Sequence, residues 1–115
     1  MIKIYMKILV TGGLGFIGSN FILYILKNYD NHEIVNVDAE VHGSNHENLK
    51  DIKNLERYTF VKGNIINKKL MRELISKCDC VVNFAAETHV DRSIFDAEPF
   101  LVSNVRGVYT ILEII

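Results

Sequence analysis

Two short stretches of the 115-residue chain gather groups from which chemistry could be built. The first is TGGLGFIGS, Thr11–Ser19, which contains Gly13-x-Gly15-x-x-Gly18 and equally Gly12-x-x-Gly15-x-x-Gly18. Glycines at this spacing offer backbone rather than side chain. The leading ones turn a strand sharply into a helix, Gly15 lets a pyrophosphate approach the main chain, and Gly18 lets helix and strand pack closely. Phosphates then meet N–H groups at the positive end of the helix dipole. No Gly-Lys-Ser/Thr follows, so this is not the loop of a P-loop NTPase. The second stretch is VVNFAAETHVDRSI, Val81–Ile94, in which Glu87, Thr88, His89, Asp91, Arg92 and Ser93 crowd the end of an apolar run. Polar groups just beyond the carboxyl end of a buried strand stand where open α/β sheets bind their ligands.

Both stretches need elements to position them, and the apolar pattern supplies these in alternation. Ile4–Thr11 reads as a strand ending in glycines. Phe16, Ile17, Phe21, Ile22, Ile25 and Leu26 recur at helical spacing for roughly three turns. Strands follow at EIVNVD (Glu33–Asp38), YTFVKGN and CVVNFAA, with a short helix near Leu49–Ile52 and a longer one marked by Leu70, Met71, Leu74 and Ile75. Leu101, Val105, Val108, Leu112 and Ile115 give a last amphipathic helix, with Pro99 harmless near its start. Strands alternating with helices imply parallel βαβ units. Runs apolar on consecutive residues imply a sheet covered on both faces. The expected fold is an α/β, Rossmann-type parallel sheet of about four strands in the order 3-2-1-4, with helices on both faces, in one domain over 1–115.

In that frame the glycine loop lies between a strand and a helix, and Asp38 closes the next strand twenty residues after Gly18. A carboxylate there accepts hydrogen bonds from ribose hydroxyls and repels a 2′-phosphate. No Arg or Lys occurs from Ala39 to Asn48 to neutralise such a phosphate, so NAD is favoured over NADP. The competing readings are a glycine turn without a ligand and a solvated turn aspartate.

Composition removes other classes of function. Thirteen Lys plus Arg against fourteen Asp plus Glu leave a net charge of −1, which gives no reason to expect nucleic acid or a membrane surface as partner. No apolar run reaches the roughly 18–20 residues that span a bilayer. Met1–Tyr5 read as an extension ahead of a strand that could start at Met6, without a signal-peptide cleavage site. Cys78 and Cys80, two apart, are expected to be reduced structural thiols, which fits a cytoplasmic protein. His42, His46 and Glu47 could be drawn as a metal site, but they lack a fourth ligand and H-E-x-x-H spacing, so a solvated loop is the reading. Lys68 and Lys69 read as an exposed helix start.

TGGLGFIGS, Asp38, FAAETHVDRSI and NVRGVYTILE together resemble the N-terminal part of the extended short-chain dehydrogenase/reductase family, and within it the dTDP-glucose 4,6-dehydratase group. The likeness runs from Met6 to Ile115. The glycine motif is common to the whole superfamily, whereas the AAETHVDRS string is far more specific. The resemblance implies cofactor contacts for Gly12, Gly15, Phe16, Ile17, Gly18 and Asp38. It further implies that Asn64 and Ile65 read the adenine edge, and that Phe84, Ala85, Ala86 and Thr88 pass beneath the cofactor. Thr88 would also touch the sugar nucleotide, and Ser103, beside a structural Asn104, would lie near the cofactor. His89 and Asp91 are expected to hold their loop in place rather than to act on substrate.

Two departures are local. Asn64 stands where the family has Asp, and Asn both accepts and donates. DAEVHGSN, Asp38–Asn45, keeps the acid and Asn45 but puts Ala39 and Val41 where the family has Lys and Thr. The larger departure is that the family's Tyr-x-x-x-Lys pair and its acid/base carboxylates follow the position of Ile115, as does its sugar-binding part. Only Tyr58–Lys62 has that spacing here, within an expected strand that sets the two side chains on one face but too far apart. No catalytic residue and no metal ligand are therefore assigned. The resemblance implies NAD as cofactor, a nucleotide sugar as substrate and a homodimer, the last helix supplying part of the subunit contact. The reaction implied is a 4,6-dehydration: a hydride leaves sugar C4 for NAD, water is lost across C5–C6, and the hydride returns at C6. For the chain alone the expectation is an incomplete NAD-binding domain that binds NAD weakly at best and has no turnover. The alternatives are another extended dehydrogenase, such as a nucleotide-sugar epimerase or decarboxylase, and a standalone non-catalytic nucleotide-binding module.

Overall fold

The computed structural model describes residues 5–40, 44–85, 111, 112 and 114. Its elements follow the chain as β1 (Lys7–Thr11), α1 (Phe16–Asn28), β2 (Glu33–Asp38), a 3-10 turn (His46–Leu49), β3 (Tyr58–Lys62), α2 (Lys68–Ser76) and β4 (Cys80–Asn83). The four strands form one parallel sheet in the order β3-β2-β1-β4, as expected of a Rossmann-type unit.

Side chains alternate across the strands, so each strand feeds two cores. Ile8, Val10 and Ile34 face α1, where Leu14, Ile22, Leu26, Leu49 and Ile52 complete a buried cluster. Leu9, Val35 and Val37 face the opposite side and meet Ile65, Met71 and Ile111, with Leu70 and Leu74 of α2 packed around them. The register sets the strand ends level: Thr11 lies opposite Val37 and Asn83, and Asp38 lies opposite Lys62. Cys78 packs against the second cluster and Cys80 against the first. The sheet stands between the two free thiols, which accounts for the lack of a bridge.

Local chemistry explains where the elements stop. Arg57 ends α1, its guanidinium donating to the carbonyls of Tyr29 at 2.7 Å, His32 at 3.0 Å and Leu26 at 3.0 Å. A cation there also opposes the negative end of the helix dipole. Asn67 starts α2 by accepting the Leu70 N–H at 3.1 Å. Asn45 caps the 3-10 turn through the Glu47 N–H at 2.9 Å.

Three expectations need correction. The short helix expected at Leu49–Ile52 is a 3-10 turn three residues earlier, because the Asn45 cap fixes its start. The third and fourth strands are shorter than YTFVKGN and CVVNFAA, ending at Lys62 and Asn83. In the last helix Ile111 is buried and Leu112 is 67% exposed, so the inward face lies one residue from the stripe drawn through Leu112. Leu101, Val105, Val108 and Pro99 lie outside the described residues, as do Ile4 and His42.

Candidate cofactor site

The glycine loop leaves β1 at its carboxyl end and is held by bonds that use up its early amides. Gly12 N–H donates to the Val37 carbonyl at 2.9 Å and Gly15 N–H to the Gly12 carbonyl at 3.2 Å. Gly13 N–H donates at 3.0 Å to Oδ1 of Asn36, which is fully buried in β2. The amide of Asn36 in turn donates to the Tyr58 hydroxyl at 3.1 Å, so this core polar group is satisfied on both sides. Burial pushes the Tyr58 hydroxyl's pKa up. Tyr58 thus bonds Asn36, and Lys62 Nζ lies 3.2 Å from a carboxylate oxygen of Glu40.

The glycines differ in why they are glycines. Gly12 has φ of +69°, and a Cβ there would lie 2.7 Å from the backbone of Phe84 and Ala85. At Gly18 a Cβ would lie 2.5 Å from the Gly12 carbonyl oxygen, so the helix could not sit so close to the loop. Both are required by the protein's own packing. Gly15 is not: a Cβ there would meet only the Gly12 oxygen at 3.5 Å, an ordinary contact. Gly15 is also the residue before α1, with extended backbone and no side-chain cap on the helix. The first amides of a helix have no intrahelical acceptor. An open cradle at uncapped amides fits a pyrophosphate, which a methyl group at Gly15 would crowd.

Phe16 and Ile17 begin α1 but do not belong to its buried stripe, being 80% and 66% exposed. That corrects the periodicity reading and leaves both at the rim of the loop.

Asp38 is not a solvated turn residue, since it is only 5% exposed. One carboxylate oxygen accepts the Leu14 N–H at 3.0 Å; the other accepts the Glu40 N–H at 2.7 Å and the Ser44 hydroxyl at 3.0 Å. A carboxylate offers about four acceptor positions, of which these bonds take three. Leu14, itself buried, ties the loop to the turn after β2, its carbonyl accepting the Asn45 N–H at 3.0 Å and the Asn48 amide at 3.1 Å. Sequence reading passed over Leu14, an apolar residue inside a glycine motif.

Beyond β3, Gly63 N–H donates to the Asp38 carbonyl at 3.1 Å, which brings Asn64 and Ile65 to the same edge of the sheet. Asn64 Oδ1 accepts the Ile66 N–H at 3.1 Å, leaving its amide hydrogens for any partner. The Ile65 side chain is 4% exposed and part of the core, so only its backbone is available to a ligand.

At the β1–β4 junction Thr11 donates its hydroxyl to Asn83 Oδ1, and Ala85 N–H points at both oxygens at 3.2 Å. This locks the point where strand order reverses, the crevice in which such sheets bind ligands. Phe84 lies there with its ring 5.5 Å from that of Phe21, and Ala85 packs on the opposite core. Ala86, Thr88 and Ser103, with Glu87 to Ser93, lie outside the described residues.

One cluster was not foreseen. Glu40, with φ of 59°, bonds the ring of His46 and lies 3.2 Å from Lys62 Nζ. His46 first, and Lys62 with it, hold the Glu40 carboxyl below its usual range. Among the described residues no group of three metal-ligating side chains occurs, and no helix is long and apolar enough to cross a membrane.

The architecture has known counterparts. Residues 9–115 match the family model described as GDP-mannose 4,6 dehydratase. The low-salt glycan biosynthesis protein Agl12 of Haloferax volcanii is 46% identical over 108 residues, which are 94% of this chain and 34% of that protein. A dTDP-glucose 4,6-dehydratase from Bacillus anthracis, solved in complex with NAD, superposes with a TM-score of 0.81 at 44% identity, over 94% of this chain and 32% of that one. The dTDP-glucose 4,6-dehydratase DesIV of Streptomyces venezuelae, with NAD and TYD bound, gives 0.88 at 38% identity, over 95% and 35%. The chain thus spans about a third of the length of these relatives. With the glycine loop, the buried acid and the 3-2-1-4 sheet in place, the chain belongs to the GDP-mannose 4,6 dehydratase family of extended short-chain dehydrogenases/reductases, and the relatives it resembles include dTDP-glucose 4,6-dehydratases.

Proposed function

We propose that this chain is the NAD-binding portion of a nucleotide-sugar 4,6-dehydratase acting on dTDP-glucose. The observation that carries the cofactor reading is Gly15, a glycine that the protein's own packing does not require, at the uncapped start of α1. Its open cradle suits a pyrophosphate, and Asp38, one strand away, suits the adenosine ribose. Asn64 and the backbone of Ile65 extend the same edge toward the base, Phe84 and Ala85 stand at the switch point, and the resemblance assigns Ala86, Thr88 and Ser103 to the cofactor as well.

When bound, NAD supplies the hydride acceptor and donor of a 4,6-dehydration. The residues of this chain bind and orient it. The amides at the uncapped start of α1, Phe16 and Ile17 among them, would hold the phosphates, Asp38 would hold the ribose, and the Thr11–Asn83–Ala85 bonds tie β1 to β4 at the crevice. Thr88 is assigned to the sugar nucleotide. The AAETHVDRS string favours a dehydratase over an epimerase or decarboxylase. The same reading pairs two copies of the protein in the cytoplasm, where Cys78 and Cys80 stay reduced.

Calorimetric titration with NAD+ tests the proposal. Saturable one-site binding that is lost in Asp38→Ala, with helicity retained, is the expected result. Absence of binding by the folded wild-type protein would overturn it.

A further inference from the structure

NAD is favoured over NADP by the Asp38 carboxylate and by the lack of Arg or Lys from Ala39 to Asn48, but the fold brings a lysine to the same edge from elsewhere in the chain. Lys62 arrives from β3 as the direct cross-strand partner of Asp38. Neighbouring strands lie about 4.8 Å apart, so the two residues leave the same end of the sheet side by side, and Lys62 reaches Glu40 there. His46 arrives from the 3-10 turn on the same edge, its ring against Phe60 at 4.8 Å. Two basic side chains next to a ribose subsite are what a 2′-phosphate would use.

Glu40 occupies both of them. Its Oε1 bonds His46 and its Oε2 lies 3.2 Å from Lys62 Nζ. The backbone that delivers it is unusual: φ of 59° at a residue other than glycine, with its N–H bonded to Asp38 itself at 2.7 Å. Exposed ion pairs contribute little to stability, and the Lys62 and His46 side chains are 69% and 59% exposed. The bond to Asp38 accounts for the turn at Glu40, whereas the exposed ion pair made by its side chain adds little to folding.

We propose that Glu40 is the residue that makes this site select NAD over NADP, by occupying Lys62 and His46 at the edge where Asp38 lies. This rests on the reading that the adenosine ribose sits at Asp38. With Glu40 neutral, Lys62 is released to a 2′-phosphate while the ribose contact is untouched.

The test compares NAD+ and NADP+ affinities of the wild-type protein, Glu40→Gln and Glu40→Gln/Lys62→Met, by calorimetry at low ionic strength. Glu40→Gln preserves side-chain size at an exposed position, and circular dichroism checks its fold. The expected result is NADP+ binding strengthened about tenfold or more in Glu40→Gln, with NAD+ affinity within about threefold of wild type, and the gain reversed by Lys62→Met. Unchanged NADP+ affinity in a Glu40→Gln protein that still binds NAD+ overturns the proposal and leaves the ribose reading intact. A gain that survives Lys62→Met overturns the assigned role of Lys62. Failure of the folded wild-type protein to bind either dinucleotide overturns the ribose reading and this inference with it.

Discussion

At the scale of single residues, the glycine motif separates into positions that serve the fold and one that serves a ligand. Gly15→Ala is expected to change stability by less than about 1 kcal/mol, since the added methyl makes only an ordinary contact. Its NAD+ affinity should fall about tenfold or more, read by titration. Gly18→Ala forces a methyl against the Gly12 oxygen and should destabilise by about 1–3 kcal/mol, read as a lower urea midpoint. Equal stability losses in both variants would remove the distinction. A related argument applies to Asn64, whose acceptor is taken by the Ile66 N–H. Asn64→Asp keeps that bond and adds an acceptor for the adenine amino group. It should tighten NAD+ binding by about 1 kcal/mol, whereas weaker binding would contradict the adenine assignment.

At the scale of elements, the joints depend on a few polar side chains. Arg57 alone gathers three carbonyls around the end of α1. Arg57→Ala should lower stability by about 2 kcal/mol in urea titration, and Arg57→Lys should recover only part, because an ammonium lacks the planar fork. Tyr58 joins β3 to the buried Asn36, and burial raises its hydroxyl pKa above the ordinary 10.0. The folded state therefore keeps this proton at pH values where the unfolded chain has released it. Tyr58's contribution is complete below the unfolded pKa and is lost as pH climbs through the folded one. The urea midpoint should fall above about pH 10, and Tyr58→Phe should flatten that fall; an unchanged slope would remove Tyr58 as its cause. Element boundaries were legible where one strand's own residues decide them, as at Glu33–Asp38, whose consecutive apolar side chains are buried on both faces. They were not legible at β4. There the Thr11 hydroxyl, from a strand 74 residues away, takes the Ala85 N–H that a longer strand would have paired.

At the scale of the whole molecule, the parallel pairing could be read in advance from alternation along the chain, and the sheet order and the glycine–acid pairing from the Rossmann-type fingerprint. What could not be read depends on register between distant segments. Lys62 meets Asp38 only once β2 and β3 are aligned, and the run ILEII is apolar at nearly every position, so periodicity could not choose Ile111 over Leu112 as the inward residue. The same molecular view limits what this chain can do alone. Tyr58 is bonded to Asn36 and Lys62 to Glu40, so the only Tyr-x-x-x-Lys spacing in the sequence is committed to other partners. With that pair committed elsewhere, the described residues are expected to orient a cofactor without turning substrate over. The purified 115-residue protein, given NAD+ and dTDP-glucose, is expected to form no 4-keto-6-deoxy sugar by mass spectrometry beyond the protein-free control. Product that depends on the protein, and vanishes in Asp38→Ala, would mean that the chemistry resides within these residues after all, in groups such as Glu87, His89 or Asp91.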